Sequence, residues 1–138
     1  MTVLMTEYEN ELKEAFPEVD PEIIPLGSRI LVQIKAIKTR TASGLYLGND
    51  LVDTEKHNTQ VAKIISFGPL AFKNRETLKS WPEGDWCQIG DFCRVPKWGG
   101  DRFLVLGDDG EEVTFVIYND LDLVAKLTGN VLQVKAFI

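Results

Sequence analysis

The chain predicts an all-β domain, a sandwich or small barrel, with one short helix ahead of it. Three observations carry this expectation. From residue 23 onward, apolar residues recur at alternate positions in runs too short for helices. Gly-rich or Asp-rich turns such as Trp98-Gly99-Gly100 and Gly107-Asp108-Asp109-Gly110 separate those runs. Residues 1–22 alone read differently, being acidic and poor in β-branched residues. With 138 residues, 44% of them hydrophobic and 26% charged, one domain can bury a core without disulfide or metal staples.

The helix comes first. Thr6-x-x-Glu9 is a capping-box signature, and Tyr8, Leu12, Ala15 and Phe16 recur on one helical face. Pro17 and Pro21 then stop the helix. Its apolar face serves equally to pack on the barrel or to contact a neighbouring copy. Residues 28–35 and 60–67 follow as strands, each with one buried face, the second closed by the turn Gly68-Pro69. Further short strands are expected over 91–96, 101–106, 112–118 and 121–127, and many short strands with regular turns favour a closed sheet without exposed edges. Residues 70–86 mix Phe72, Leu78, Trp81 and Trp86 with charges and Pro82, which reads as one or two helical turns followed by a loop. Residues 131–138 alternate like a last strand, available for pairing between copies.

Between the first two strands lies the most informative segment, residues 39–58. It is long, polar and without a secondary-structure pattern of its own, a combination usually functional or disordered in a compact domain. Its one apolar triplet, Leu45-Tyr46-Leu47, is isolated by Ser43-Gly44 before it and Gly48-Asn49-Asp50 after it. Such a triplet reads as a docking motif that folds on contact with a partner. The plainer alternative is a short edge strand tucked against its own barrel.

Composition limits the function classes. A net charge of −6 weighs against a protein whose affinity comes from neutralising phosphates. No apolar run is long enough to span a bilayer, and the opening MTVLMTEYENE lacks the basic start and apolar stretch of a secretory leader, so a cytosolic compartment is expected. Catalytic constellations are sparse as well. The single histidine, His57, sits among solvated acids, and Cys87 with Cys93 lacks the ligand spacing of a zinc site and reads as a pair of buried small side chains. Neither GxxxxGK[ST] nor GxGxxG occurs, so no phosphate-cradling loop is expected. Trp81, Trp86 and Trp98 are read as core or interface filler in preference to a ligand cage. The expectation is a binding protein, not an enzyme, with no cofactor and no metal.

Several segments together resemble the GroES-type co-chaperonin family, also called chaperonin-10. Pro25-Leu26-Gly27-Ser28-Arg29-Ile30-Leu31-Val32 is similar to the family's opening strand with its Pro-Leu-x-x-Arg signature. Thr41-Ala42-Ser43-Gly44-Leu45-Tyr46-Leu47 looks like its mobile loop, and Ile89-Gly90-Asp91-Phe92-Cys93 like its Val-Gly-Asp strand entry. The resemblance runs from about residue 25 to residue 127. It implies a small GroES-like β-barrel over 23–128 with a long mobile loop at about 39–58 and a dome-region segment at about 69–86. An N-terminal helical extension, 1–22, and a C-terminal strand extension, 129–138, flank it.

The resemblance implies chaperonin-binding residues Gly44, Leu45, Tyr46 and Leu47. It implies a heptameric homo-oligomer that caps an ATP-bound GroEL-type chaperonin, enclosing an unfolded client protein, without contact to nucleic acid or membrane. Ser28 replaces the family's acidic residue before the first-strand arginine, and residues after Gly68 do not look like the short roof hairpin of the bacterial dome. An open or differently built top is therefore expected. Divergent bacteriophage-encoded members resemble this pattern more closely, which implies a phage protein in the host cytoplasm and a viral capsid protein as client. The rival readings are an OB-like barrel binding single-stranded nucleic acid through Tyr46 and the tryptophans, an orphan GroES-like interaction module, and the GroES-like domain of a zinc alcohol dehydrogenase. The last lacks its cysteine and histidine ligands and its dinucleotide-binding half.

Overall fold

The computed structural model describes residues 3–36, 60–96, 98–107 and 110–133. It is an all-β fold, mostly antiparallel sheet, with one short helix. The elements are α1 (Val3–Ala15), β1 (Arg29–Ile34), β2 (Val61–Phe67), β3 (Phe92–Arg94), β4 (Asp101–Leu106), β5 (Glu112–Asn119) and β6 (Ala125–Leu127), with single 3-10 turns at Asp120–Asp122 and Val131–Gln133. All six strands join one antiparallel sheet in the order β4-β5-β1-β2-β3-β6. The order puts β1, the strand with the densest apolar run, at the centre, where neighbours satisfy both its edges. Its register against β2 shifts between Leu31 and Val32, a bulge that bends the strand.

The main core lies on one face of the sheet. Ile30, Val32 and Ile34 of β1 meet Ala62 and Ile64 of β2, Cys93 of β3 and Val116 and Tyr118 of β5. The connection between β2 and β3 covers them with Ala71, Phe72 and Cys87, while Trp81 and Trp86 pack at the margin. On the other face, Leu31, Val113 and Phe115 form a second cluster with Val19, Ile65 and Phe103. A third cluster joins α1 to the sheet: Ala15, Phe16, Val61 and Val131 are buried together, with Leu12, Phe92, Leu127 and Leu132 around them.

Several expectations are corrected here. The helix starts at Val3, so Thr6 lies inside it and does not cap it. Its Leu12-Ala15-Phe16 face packs on its own sheet, which decides between the two partners considered above. Strand β1 is buried on both faces, with only Arg29 exposed. The second face is covered by chain that precedes the strand: Val19 packs there, and the Gln33 amide donates to the Pro17 carbonyl at 2.8 Å.

Residues 121–127 do not form one strand, because a 3-10 turn occupies Asp120–Asp122 before β6 begins at Ala125. The alternating pattern at 131–133 is a 3-10 turn with Val131 buried under α1, and residues 134–138 lie outside the described residues. Residues 70–86 contain no helix, only a single α-turn in which the Leu78 N–H donates to the Asn74 carbonyl at 2.8 Å. Around that turn the segment is an irregular loop pinned by one antiparallel bridge between Lys73 and Ser80.

Candidate functional site

The residues singled out for partner binding, Gly44, Leu45, Tyr46 and Leu47, lie outside the described residues, as does His57. What the structure describes is the frame on which residues 37–59 are mounted. They connect β1 to β2, two adjacent antiparallel strands whose last paired residues there are Ile34 and Ala62. Beyond that pair the Lys35 N–H still donates to the Val61 carbonyl at 3.1 Å. On the departing side, the Ala36 N–H donates to the Ala15 carbonyl at the end of α1, at 2.7 Å. On the returning side, the Val95 N–H donates to the Gln60 carbonyl at 2.9 Å, and Val61 is fully buried beneath Ala15 and Phe16.

Sequence reading missed this frame. Its one signal was Gln33, a polar residue inside the apolar run Arg29-Ile30-Leu31-Val32-Gln33-Ile34, which proves to be buried.

The β2–β3 connection is fixed to the sheet from the far end of the chain. Asp120 is fully buried, and its carboxylate accepts the Phe72 N–H at 2.8 Å and Arg75 Nη1 at 3.3 Å, with Arg75 Nη2 closer still on the other oxygen. Phe72 is held in the left-handed region, at φ 62°, while its ring is buried edge-on to Phe67 and Trp86. A bulky residue adopts that backbone only where its surroundings over-determine it. Here the core on one side and the Asp120 carboxylate on the other do so. Leu78, also at positive φ, projects exposed from the bridged loop.

Trp81 and Trp86 stack at 6.1 Å with an interplanar angle of 7°, against the main core, whereas Trp98 is 77% exposed on the turn before β4. Trp86 also lines a groove of about 490 Å³ with Leu121, Leu123 and Val124, beside Ala125 and Lys126 of the terminal strand β6. Exposed apolar side chains gather at that strand and at the segment before β1: Leu121 and Val124 at one, Ile24 (81% exposed) and Leu26 (71%) at the other.

Cys87 and Cys93 are both buried free thiols. Burial pushes both thiols up, Cys93 to about 12, so neither is an activated nucleophile at neutral pH. Among the described residues no group of three or more His, Cys, Asp or Glu side chains is placed to hold a metal ion. No helix among them is long and apolar enough to cross a membrane.

A family model for the chaperonin 10 Kd subunit matches residues 22–127, from just before the Pro25-Leu26 segment through the last residue of β6. The chain belongs to the chaperonin 10 family. Among its relatives, a mitochondrial 10 kDa heat shock protein of Saccharomyces cerevisiae is 34% identical over 105 residues, covering 76% of this chain and 88% of the relative. The co-chaperonin GroES of Caldicellulosiruptor saccharolyticus is 31% identical over 100 residues, 72% of this chain and 93% of the relative. A second mitochondrial 10 kDa heat shock protein, from Schizosaccharomyces pombe, is 33% identical over 103 residues, 75% and 86% of the two chains.

Membership in the chaperonin 10 family supports a co-chaperonin function, and with it a GroEL-type chaperonin as partner and association of the chain with itself. The helix α1 and the 3-10 turn at Val131–Gln133 both stand outside the matched span.

Proposed function

We propose that this chaperonin 10 protein forms a ring that caps a nucleotide-loaded GroEL-type chaperonin, docking through Gly44, Leu45, Tyr46 and Leu47. The observation that carries the proposal is the placement of an isolated Gly-Leu-Tyr-Leu run in the β1–β2 connection of a chain that belongs to this family. Burying each of the three large side chains in a partner groove contributes about 1.5–3 kcal/mol. Ordering the flanking backbone opposes it at about 1–2 kcal/mol per residue. A single loop therefore binds weakly. In a ring, the first loop to dock holds the others at high effective concentration, and modest contributions combine into avidity while release stays easy.

Self-association has its own support in the exposed Ile24 and Leu26 ahead of β1 and the exposed Leu121 and Val124 beside β6, apolar surface that a second copy would cover. The ring is heptameric in this reading, and the chain carries no active site, ATP hydrolysis belonging to the chaperonin. A bacteriophage origin, action in the host cytoplasm and a capsid protein as client complete the proposal. Release of a phage capsid protein from host chaperonin in native form only when this chain is present would support that part.

The site is tested with Leu47→Asp. The variant should keep the circular dichroism spectrum and melting curve of the wild type yet fail to co-sediment with a bacterial GroEL-type chaperonin and an ATP analogue. An unfolded Leu47→Asp variant would assign the triplet to the core instead and remove the docking role.

A further inference from the structure

We infer that α1 is a positioning element for the docking segment and sets how strongly the ring caps its partner, an inference that rests on the docking function proposed above. The helix touches both roots of residues 37–59. At the first root, the ladder between β1 and β5 ends at Gln33 and Phe115. Beyond it the Ala36 N–H is taken by the Ala15 carbonyl at 2.7 Å. That carbonyl belongs to the last turn of a helix, where carbonyls lack intrahelical partners, so the bond satisfies both groups at once. The Gln33 amide, almost fully buried, ties the chain just after α1 to β1 through the Pro17 carbonyl at 2.8 Å. At the second root, Phe16 and Ala15 bury Val61, and the Phe16 ring lies 5.0 Å from that of Phe92 on the neighbouring strand β3. Val131 and Leu132, from beyond β6, close the same cluster.

These contacts come from the two parts of the chain outside the family match, and they converge on the two places where the docking segment leaves and rejoins the sheet. A plain cover for apolar surface has no need to bond the backbone of Ala36. Root residues that are already ordered add no ordering cost when the segment binds, and each one freed weakens binding by about tenfold per loop. Fixed roots also aim every loop of a ring the same way, which raises the effective concentration of the later ones.

The test uses the full-length chain, a bacterial GroEL-type chaperonin and an ATP analogue. Phe16→Ala removes the ring that holds Val61, and Phe16→Leu restores an apolar side chain. Phe103→Ala, in the separate cluster on β4, removes the same ring chemistry away from the roots. At a temperature where all remain folded, Phe16→Ala should weaken capping about tenfold or more and speed hydrogen exchange at the Ala36 and Val61 amides. Phe16→Leu should recover most of both, and Phe103→Ala should change neither. Wild-type capping strength in Phe16→Ala overturns the inference, and so does equal loss in Phe16→Ala and Phe103→Ala, which would make capping a matter of general stability. A wild-type chain that does not cap removes the docking function itself and the inference with it, an outcome distinct from both.

Discussion

Replacing Asp120 by alanine should loosen the β2–β3 connection from the sheet at a cost of about 1–4 kcal/mol, a size that follows from what surrounds the carboxylate. Asp120 and Phe72 are both fully buried, so the Phe72 N–H, now bonded at 2.8 Å, would be left without protein partner or water. An orphaned buried donor costs about 1–3 kcal/mol. The Arg75 side chain is 43% exposed and regains water when its partner goes, so the ion pair itself adds only about 0–1 kcal/mol.

Arg75→Ala should cost at least as much, because it strands a fully buried carboxylate with the Phe72 N–H as its remaining donor among the described residues. The assay is urea unfolding at fixed protomer concentration, since association shifts apparent stability. With a slope of about 1–3 kcal/mol per molar urea, the Asp120→Ala midpoint should fall by about 0.5–2 M. The double variant should be less destabilised than the sum of the two single ones, as expected for side chains in one network. A midpoint within about 0.3 M of wild type for Asp120→Ala, or strict additivity in the cycle, would refute the assignment of Asp120 as the anchor of this connection.

Two further outcomes test other parts of the fold. A Cβ on Gly68 would stand 2.2 Å from the Gly27 carbonyl oxygen, a backbone atom already accepting the Leu70 N–H at 2.9 Å. Gly68→Ala should therefore cost about 3 kcal/mol or more, or prevent folding, and a thermal melt close to wild type would contradict the close approach.

At the β3 entry, the Gln88 N–H and then Lys126, 3.2 Å away, hold the Asp91 carboxyl below its usual value of 3.8. A lowered folded pKa stabilises the fold at pH values above the unfolded one, and that contribution is lost as pH falls from about 3.8 through the folded value. Asp91→Asn should accordingly be less stable than wild type at pH 7, by well under about 1 kcal/mol for the exposed ion pair. The gap should close in acid melts, whereas a gap that widens there would reverse the sign.

The parts of the fold legible in the sequence were those specified locally. Strand β4 spans the residues its alternation marks, and β5 exceeds its expected end by one residue, because the two strands pair directly, Leu106 opposite Glu112, with the Gly107 N–H donating to the Glu111 carbonyl at 2.8 Å. The features that escaped are set by distant partners. Whether β1 has one buried face or two depends on Val19 and Pro17 lying against it, and no periodicity within the strand reports that.

The break at Asp120–Asp122 exists because Asp120 turns inward to a backbone N–H 48 residues away. The alternation at 131–133 marks a helix-facing turn because Val131 has α1 to bury against. The triplet proposed for docking shows in the sequence as glycines around three large apolar residues, and it lies outside the described residues. Its anchorage was not legible, since Ala15, Phe16 and Val61 look like ordinary core positions until α1 is seen at the roots.

The most direct measurement is native mass spectrometry of the chain alone and mixed with a bacterial GroEL-type chaperonin, with and without an ATP analogue. The predicted result is a heptameric ring that joins the chaperonin only when nucleotide is bound. A chain that stays monomeric, or a ring that ignores the nucleotide-loaded chaperonin, would contradict the capping function.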